Sequence, residues 1–335
     1  MLAWQIARFG IDSMEFVERA EPEPGPEEVL VQVHAVSFNY RDLLVVKGLY
    51  NPKMALPRIP CSDGAGQVLA VGSHVKNWKT GDRVAGIFMQ NWVDGPPSPE
   101  KVKGALGGDI DGMLAERVVL KESGLVRIPA HLNFAEAATL PCAAVTAWNA
   151  LAGARLMPGA TILIQGTGGV SLFALQLAKL AGLRVLCVSS SDENLARARE
   201  LGLDASLNYR GTPDWDKWVL DQTGGEGVDL IVEVGGAGTL PKSLRSVRMG
   251  GQIAQIGVLS GPSDQLPLPL VLHKQVQIKG IYVGSRRDFE QMNRAIELAR
   301  LRPVLAARPW ADAPASLRQM EEASHLGKLV VTMQG

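Results

Sequence analysis

Thr161-Ile162-Leu163-Ile164-Gln165-Gly166-Thr167-Gly168-Gly169-Val170-Ser171 decides the fold. Five residues of strand-like, mostly apolar character run into a cluster of small ones, and an amphipathic helical pattern follows from Ser171 to Ala181. Small residues let a backbone turn sharply and approach a pyrophosphate closely. The helix behind them offers unpaired N–H groups and the positive end of its dipole. The spacing is G-x-G-x-x-G with Ser171 in the third place, where a small side chain still permits close helix–strand packing. The plainer reading is an ordinary strand–helix turn. The flanking pattern argues against it, because further units of the same kind follow. Strand-like Arg184–Val188 leads to helical Asp192–Leu201, and Ala205–Leu207, Val228–Val234 and Gln252–Ile256 continue the strands. Strands alternating with helices of this length imply βαβ units in a doubly wound parallel sheet. Their near-continuous apolar character fits a sheet covered on both faces.

In such a sheet the adenosine ribose is read at the end of the second strand, about 20 residues beyond the loop. Here that strand ends in Ser189-Ser190-Ser191. An NAD enzyme usually carries an acid there. A serine is neutral and can donate to a 2′-phosphate, so Ser189 and Ser190 favour NADPH, with NADH as the second choice. Arg197 and Arg210 are the nearest cations. Ser190 and Glu193 also fit a capping box for the following helix.

The first ~125 residues have a different grain, with short strands separated by proline and glycine punctuation. Val29–Val36, Gln67–Val71 and Leu114–Leu120 read as strands, and Pro22-Glu23-Pro24-Gly25-Pro26 as a break. The stretch Ala135–Ala154 is the most apolar long segment, but it holds Glu136, Pro141, Asn149 and Gly153, so a buried helix is expected rather than a membrane span. Beyond Gln275 a strand, Val276–Val283, a helix, Asp288–Arg300, and a final helix and strand are expected.

Composition narrows the functional classes. The chain has 335 residues, about two domains' worth, and 46% of them are hydrophobic. Lys plus Arg and Asp plus Glu number 34 each, and no basic patch stands out, so no nucleic-acid partner is expected. The three cysteines, Cys61, Cys142 and Cys187, are odd in number and widely spaced, which excludes a disulfide scaffold. With no basic and apolar leader at Met1–Gln5, a cytoplasmic location and no membrane partner are expected.

The sequence resembles the medium-chain dehydrogenase/reductase superfamily, in particular its zinc-free quinone-oxidoreductase-like branch. The resemblance spans essentially the whole chain. It is carried by Pro26–Val36, Asn39-Tyr40-Arg41-Asp42, Gly64-Ala65-Gly66-Gln67-Val68, Gly81-Asp82-Arg83-Val84, Ala137–Leu151, Gly166–Ser171, Leu207-Asn208-Tyr209 and Gly327-Lys328. It implies a GroES-like, mostly β catalytic domain over residues 1–129, to which 272–335 returns, and a Rossmann domain over 130–271. It also implies a small-molecule substrate and a homo-oligomer, dimer or tetramer.

Zinc enzymes of this superfamily bind catalytic zinc through Cys, His and Cys. The first ligand position is Asn39 here, and the His position falls in Cys61-Ser62-Asp63-Gly64, at Ser62. Only Cys142, in Leu140-Pro141-Cys142, matches. One soft ligand does not make a three-ligand catalytic site, so no metal is expected. A rearranged Cys61/Asp63/Cys142 site, serving an alcohol dehydrogenase, is the alternative. The structural zinc lobe needs four closely spaced cysteines, and Phe88–Gly112 has none.

Oxidising an alcohol puts charge on one oxygen and calls for a Lewis acid or strong general acid. Conjugate reduction spreads that charge over an enolate or quinol, which hydrogen bonds can stabilise. The lost ligands therefore point to NADPH-dependent reduction of quinones, enones, enals or enoyl thioesters. By the resemblance, Asn39 and Tyr50 (in Gly48-Leu49-Tyr50) are the candidate donors to substrate. The resemblance also implies that Thr146 would lie near the nicotinamide and Tyr209 near the adenosine phosphate. Gly166, Thr167, Gly168, Gly169 and Val170 hold the pyrophosphate. Gly235 and Ile256-Gly257-Val258 stand at strand carboxyl ends, where ligands bind in such sheets. Phe88, Trp92 and Cys142 either line an apolar substrate pocket or belong to the core. A rival reading of a different class is a non-catalytic NAD(P)H-binding redox sensor.

Overall fold

The computed structural model describes residues 1–261 and 266–333. It divides into two compact units, Met1–Val145 with Val283–Gly335, and Thr146–Tyr282. The boundaries expected from sequence, 129/130 and 271/272, are displaced by 16 and 11 residues. Residues 130–145 pack on strands of the first unit, and the second unit's sheet takes a last strand from beyond residue 271.

In the first unit β1 (Leu2–Ile6) and β2 (Met14–Glu18) form an antiparallel ribbon. β3 (Glu28–Ser37) leads into helix α1 (Tyr40–Val46). β4 (Asp63–Val71), β5 (Arg83–Gly86), β6 (Arg117–Lys121) and β7 (Leu125–Arg127) then build an antiparallel sheet around β3. Its alternating Val29, Val31 and Val33 are fully or almost fully buried, as a strand turning one face to a core requires. The Ala135–Ala154 stretch is not one helix. It breaks into α2 (Phe134–Ala137), a wide π turn at Leu140–Ala144 and α3 (Val145–Gly153). Pro141 has no N–H to continue a helical ladder, which places the irregular turn there.

The second unit has the topology that the alternating pattern implied. Its elements in order are β8 (Thr161–Gln165), α4 (Gly169–Leu180), β9 (Arg184–Ser189), α5 (Asp192–Glu200), β10 (Ala205–Asn208) and α6 (Trp215–Gln222). β11 (Val228–Glu233), α7 (Leu240–Ser246), β12 (Val247–Gln255), α8 (Leu268–Lys274) and β13 (Gln277–Gly280) complete it. The six strands are parallel in the order β10-β9-β8-β11-β12-β13. The order reverses at β8/β11, the switch point at which doubly wound sheets bind ligands. α4 starts at Gly169 rather than Ser171, because Gly168 already has the extended conformation of an N-cap. The cap of α5 is Ser191, which accepts from Asn194 N–H at 3.2 Å, so the Ser190/Glu193 capping box does not form.

The chain returns to the first unit through α9 (Arg286–Ala299), β14 (Leu305–Pro309), α10 (Ala313–Glu321) and β15 (Lys328–Thr332). β15 pairs antiparallel with the C-terminal end of β3, Val330 opposite Ser37, while β6 pairs with its N-terminal end. Leu317, Leu329 and Val331 join the core that β3 begins. No helix among the described residues is long and apolar enough to cross a membrane.

Candidate active site

Three strand ends of the first unit converge. Ser37, the last residue of β3, lies opposite Asp63, the first of β4, on one side. On the other, Phe38 N–H bonds to Leu329 O of β15 at 3.0 Å. This register brings Asn39, Ser62, Asp63 and Lys328 together. Asn39 is the N-cap of α1, and its backbone N–H is held at 2.9 Å by Asp42 Oδ2, with Asp42 fully buried three residues on.

The polar side chains form a directed chain. Lys328 Nζ donates to Phe38 O at 2.5 Å and to Asn39 Oδ1. Asn39 Nδ2 donates to Ser62 Oγ at 3.3 Å, and Ser62 Oγ donates to Asp63 Oδ1 at 2.7 Å. Cys142 N–H, from the π turn, closes on Asp63 Oδ2 at 3.0 Å. Asn39, Ser62, Asp63 and Lys328 are each at most 8% exposed. Burial pushes the Asp63 carboxyl up to about 6; the Lys328 charge opposes this, and Asp42 adds to it. Burial likewise raises the thiols of Cys61 and Cys142, helped by the neighbouring carboxylates, which leaves both as protonated, unreactive thiols.

These residues do not fit a zinc ion. Asn39 and Ser62 are poor zinc donors, and Asn39 already binds an ammonium. Among the described residues no three His, Cys, Asp or Glu side chains are grouped as a metal requires, so the Cys61/Asp63/Cys142 arrangement does not form. Both Asp63 oxygens are engaged by Ser62 and Cys142 N–H.

Arg41 packs beside this chain. Its guanidinium stands 5.0 Å from the Tyr50 ring centre and 4.9 Å from that of Phe88, and donates to Leu106 O at 2.6 Å. Tyr50 is 41% exposed, whereas Phe88 and Trp92 are buried, with Trp92 Nε1 bonded to Gly95 O. Two grooves on this unit, lined by Arg286, Arg294 and their α9 neighbours, include none of these candidate residues.

In the second unit Gly166 has φ +70°, and no protein atom lies within 4 Å of where a Cβ would stand at Gly166 or Gly168. Ser171 Oγ bonds back to Gln165 O at 2.6 Å, tying the loop to β8. The open first turn of α4 thus faces free space over small residues, the form that holds a pyrophosphate. Thr167 and Ser189 are buried, Ser190 is half-buried and Tyr209 is exposed, with Tyr209 N–H on Ser189 O. Thr146, the first residue of this unit, is 3% exposed. Gly257 passes so close to Val234 O that a Cβ would stand 2.3 Å from it, which explains a glycine at that strand end.

Two residues at the switch point were missed by the sequence reading. Glu233, fully buried at the end of β11, accepts from Gly235 N–H (2.9 Å), Gly236 N–H (3.0 Å), Thr239 Oγ1 (2.5 Å), Gln165 Nε2 (2.7 Å) and Ser243 Oγ. Gln165 Oε1 in turn accepts from Val234 and Gly235 N–H at 3.3 Å. The pair locks the carboxyl ends of β8 and β11 together. An acid inside an apolar strand just before Gly235-Gly236 was the available signal. Lys328 was noted only as part of a motif, and a charge opening the apolar Leu329-Val330-Val331 run was its signal.

Comparison with known proteins agrees with both units. Residues 25–130 match the alcohol dehydrogenase GroES-like domain, and residues 169–298 match the zinc-binding dehydrogenase family. A zinc-type alcohol dehydrogenase-like protein of Schizosaccharomyces pombe is 40% identical over 96% of each chain. A crystal structure of an NAD-dependent alcohol dehydrogenase superposes with TM-score 0.91, at 34% identity and full coverage of both chains. A 2-octenoyl-CoA carboxylase reductase, solved with NADP and 2-octenoyl-CoA, superposes with TM-score 0.90 at 27% identity, over 99% of this chain and 87% of that one. The chain belongs to the medium-chain dehydrogenase/reductase superfamily. It is an oxidoreductase that uses a nicotinamide cofactor.

Proposed function

We propose that the protein reduces quinones or α,β-unsaturated carbonyl compounds, enoyl thioesters among them, with NADPH and without zinc. The observation that carries this reading is the Lys328–Asn39–Ser62–Asp63 chain in the place where the resemblance locates catalytic zinc. The cofactor, when bound, supplies the hydride. Hydride addition to the β-carbon leaves an enolate, and the Asn39 amide N–H is the donor offered to its oxygen. A proton then reaches the α-carbon from the Tyr50 hydroxyl or from solvent. A simple alcohol would have to lose its proton first, and without a metal its alkoxide charge would rest on one oxygen with only hydrogen bonds to stabilise it. The relative solved with NADP and an enoyl-CoA supports this substrate class. The serines ending β9, in place of an acid, support NADPH, and a small homo-oligomer fits the family.

The test is turnover of an enone and of benzyl alcohol by the wild type and two variants. Asn39→Ala is expected to slow enone reduction by ~10²–10³-fold, as loss of one preorganised donor typically does, with NADPH affinity unchanged. Tyr50→Phe keeps the ring beside Arg41 and removes only the hydroxyl; full turnover would assign the proton to solvent. Faster turnover of benzyl alcohol than of any enone would replace this reading with an alcohol dehydrogenase. NADPH binding with no turnover of any acceptor would indicate a sensor.

A further inference from the structure

We propose that the Lys328 ammonium is a resident cation in the place of the family's metal, and that it orients and polarises the Asn39 amide toward the substrate oxygen. The inference rests on Asn39 serving as the donor to substrate, as proposed above.

An ammonium has donors only, so the Asn39 atom bonded to it is the carbonyl oxygen. That fixes which way the amide faces. The NH2 end is turned to the side of Ser62 and Asp63, where it donates to Ser62 Oγ and helps to hold down the Asp63 carboxyl. Every link then has one consistent sense, from Lys328 through Asn39 and Ser62 to Asp63. The ammonium adds to two other constraints on the same orientation, the Asp42 N–H of the capping box on the oxygen side and Ser62 Oγ on the NH2 side.

The bond does electronic work as well. A cation on the amide oxygen draws electron density toward that oxygen and leaves the N–H hydrogens more positive, an effect strengthened by the low local dielectric. Lys328 is 3% exposed, so water screens it little. The buried carboxylates Asp42 and Asp63 offset the charges of Lys328 and Arg41, which lets the ammonium stay inside. A divalent ion at the same place would meet a fixed positive charge at short range. Lys328 is therefore a positioning residue: it acts on substrate through Asn39.

The experiment uses the full-length enzyme with an enone, NADPH affinity measured by tryptophan quenching, and added amines. Lys328→Met is expected to lower kcat on the order of 10-fold or more, below the effect of losing the donor itself, with NADPH affinity kept. Methylammonium should restore part of the lost kcat to Lys328→Ala, and tetramethylammonium, equally charged but without N–H, should not. Wild-type kcat in Lys328→Met overturns the proposal. So does a Lys328→Ala variant that binds NADPH normally yet ignores methylammonium, since Lys328 would then only support the fold. If neither neutral variant binds NADPH, Lys328→Arg decides, because it keeps charge and donors: retained turnover supports the proposal and lost turnover overturns it. Full kcat in Asn39→Ala sinks the donor reading instead, whatever the lysine variants do.

Discussion

Gly166 joins sequence, backbone and function in one residue. Its φ of +70° lies in the left-handed region, where a side chain costs roughly 1–2 kcal/mol, and its open side is where a methyl group would enter the space proposed for the pyrophosphate. Gly166→Ala should therefore fold with a modest loss of stability and bind NADPH on the order of tenfold more weakly. Tryptophan quenching beside a thermal melt separates the two effects. Unchanged affinity would mean that the loop does not cradle the cofactor. Ser171 is the contrasting case: it stands where a third glycine was expected, and its hydroxyl bonds to Gln165 O rather than merely fitting.

At the scale of elements, the ends of strands matter most. Glu233 holds the end of β11 by accepting five hydrogen bonds. Glu233→Gln would turn an amide NH2 toward donors already pointing inward. The expected cost is about 2–3 kcal/mol, read as a lower urea midpoint, together with weaker NADPH binding. An unchanged midpoint would contradict the lock. β3 carries a pH-sensitive residue. The His34 ring stacks on Phe134 at 4.4 Å, and burial lowers its pKa from 6.5. Burial, and then Lys328, lower that of His325. For both, the unfolded chain binds the proton more readily, so stability is lost as pH falls through 6.5 toward the folded values. Asp63 works in the opposite sense: its folded value near 6 lies above 3.8, so it favours folding as pH falls through that window. The difference between wild type and His34→Gln isolates the histidine. Relative to wild type, the variant should gain stability between pH 7 and pH 5, and a pH-independent difference would refute the assignment.

Across the whole molecule, the proposed chemistry follows from the residues that stand at the zinc-ligand positions. Purified protein dialysed against a weak chelator should hold no stoichiometric zinc and keep its activity. One zinc per chain, retained with activity, would reverse the mechanism. The proposed cofactor preference belongs to this scale too, because it would draw on the β9 end, α5 and the Tyr209 turn together. The ratio kcat/KM should favour NADPH over NADH, since Ser189 and Ser190 replace the acid that reads a free ribose. Equal values would show that these serines do not discriminate.

The second unit was readable because its determinants are local. Each strand is one short apolar run, and each helix has its own periodicity, so Thr161–Gln165, Arg184–Ser189 and Val228–Glu233 fall within a residue or two of the expected strands. Sequence motifs likewise marked Asn39 and Ser62 as altered ligand positions and Cys142 as the retained one, because such a position is read from its neighbours in the chain. The sequence did not reveal that Ala135–Ala154 is broken at the π turn, since only packing on β4 decides whether a proline bends a helix or ends it. Nor did it reveal the meaning of Lys328. Asn39 and Lys328 are 289 residues apart, and their contact depends on β15 pairing with β3 in one register. A shift of one residue would turn that side chain to the other face of the sheet. The kinds of residue available to the site were fixed along the chain; the charge bonded to Asn39 was set by tertiary pairing, because a buried charge takes its role from whatever the fold places within hydrogen-bond reach.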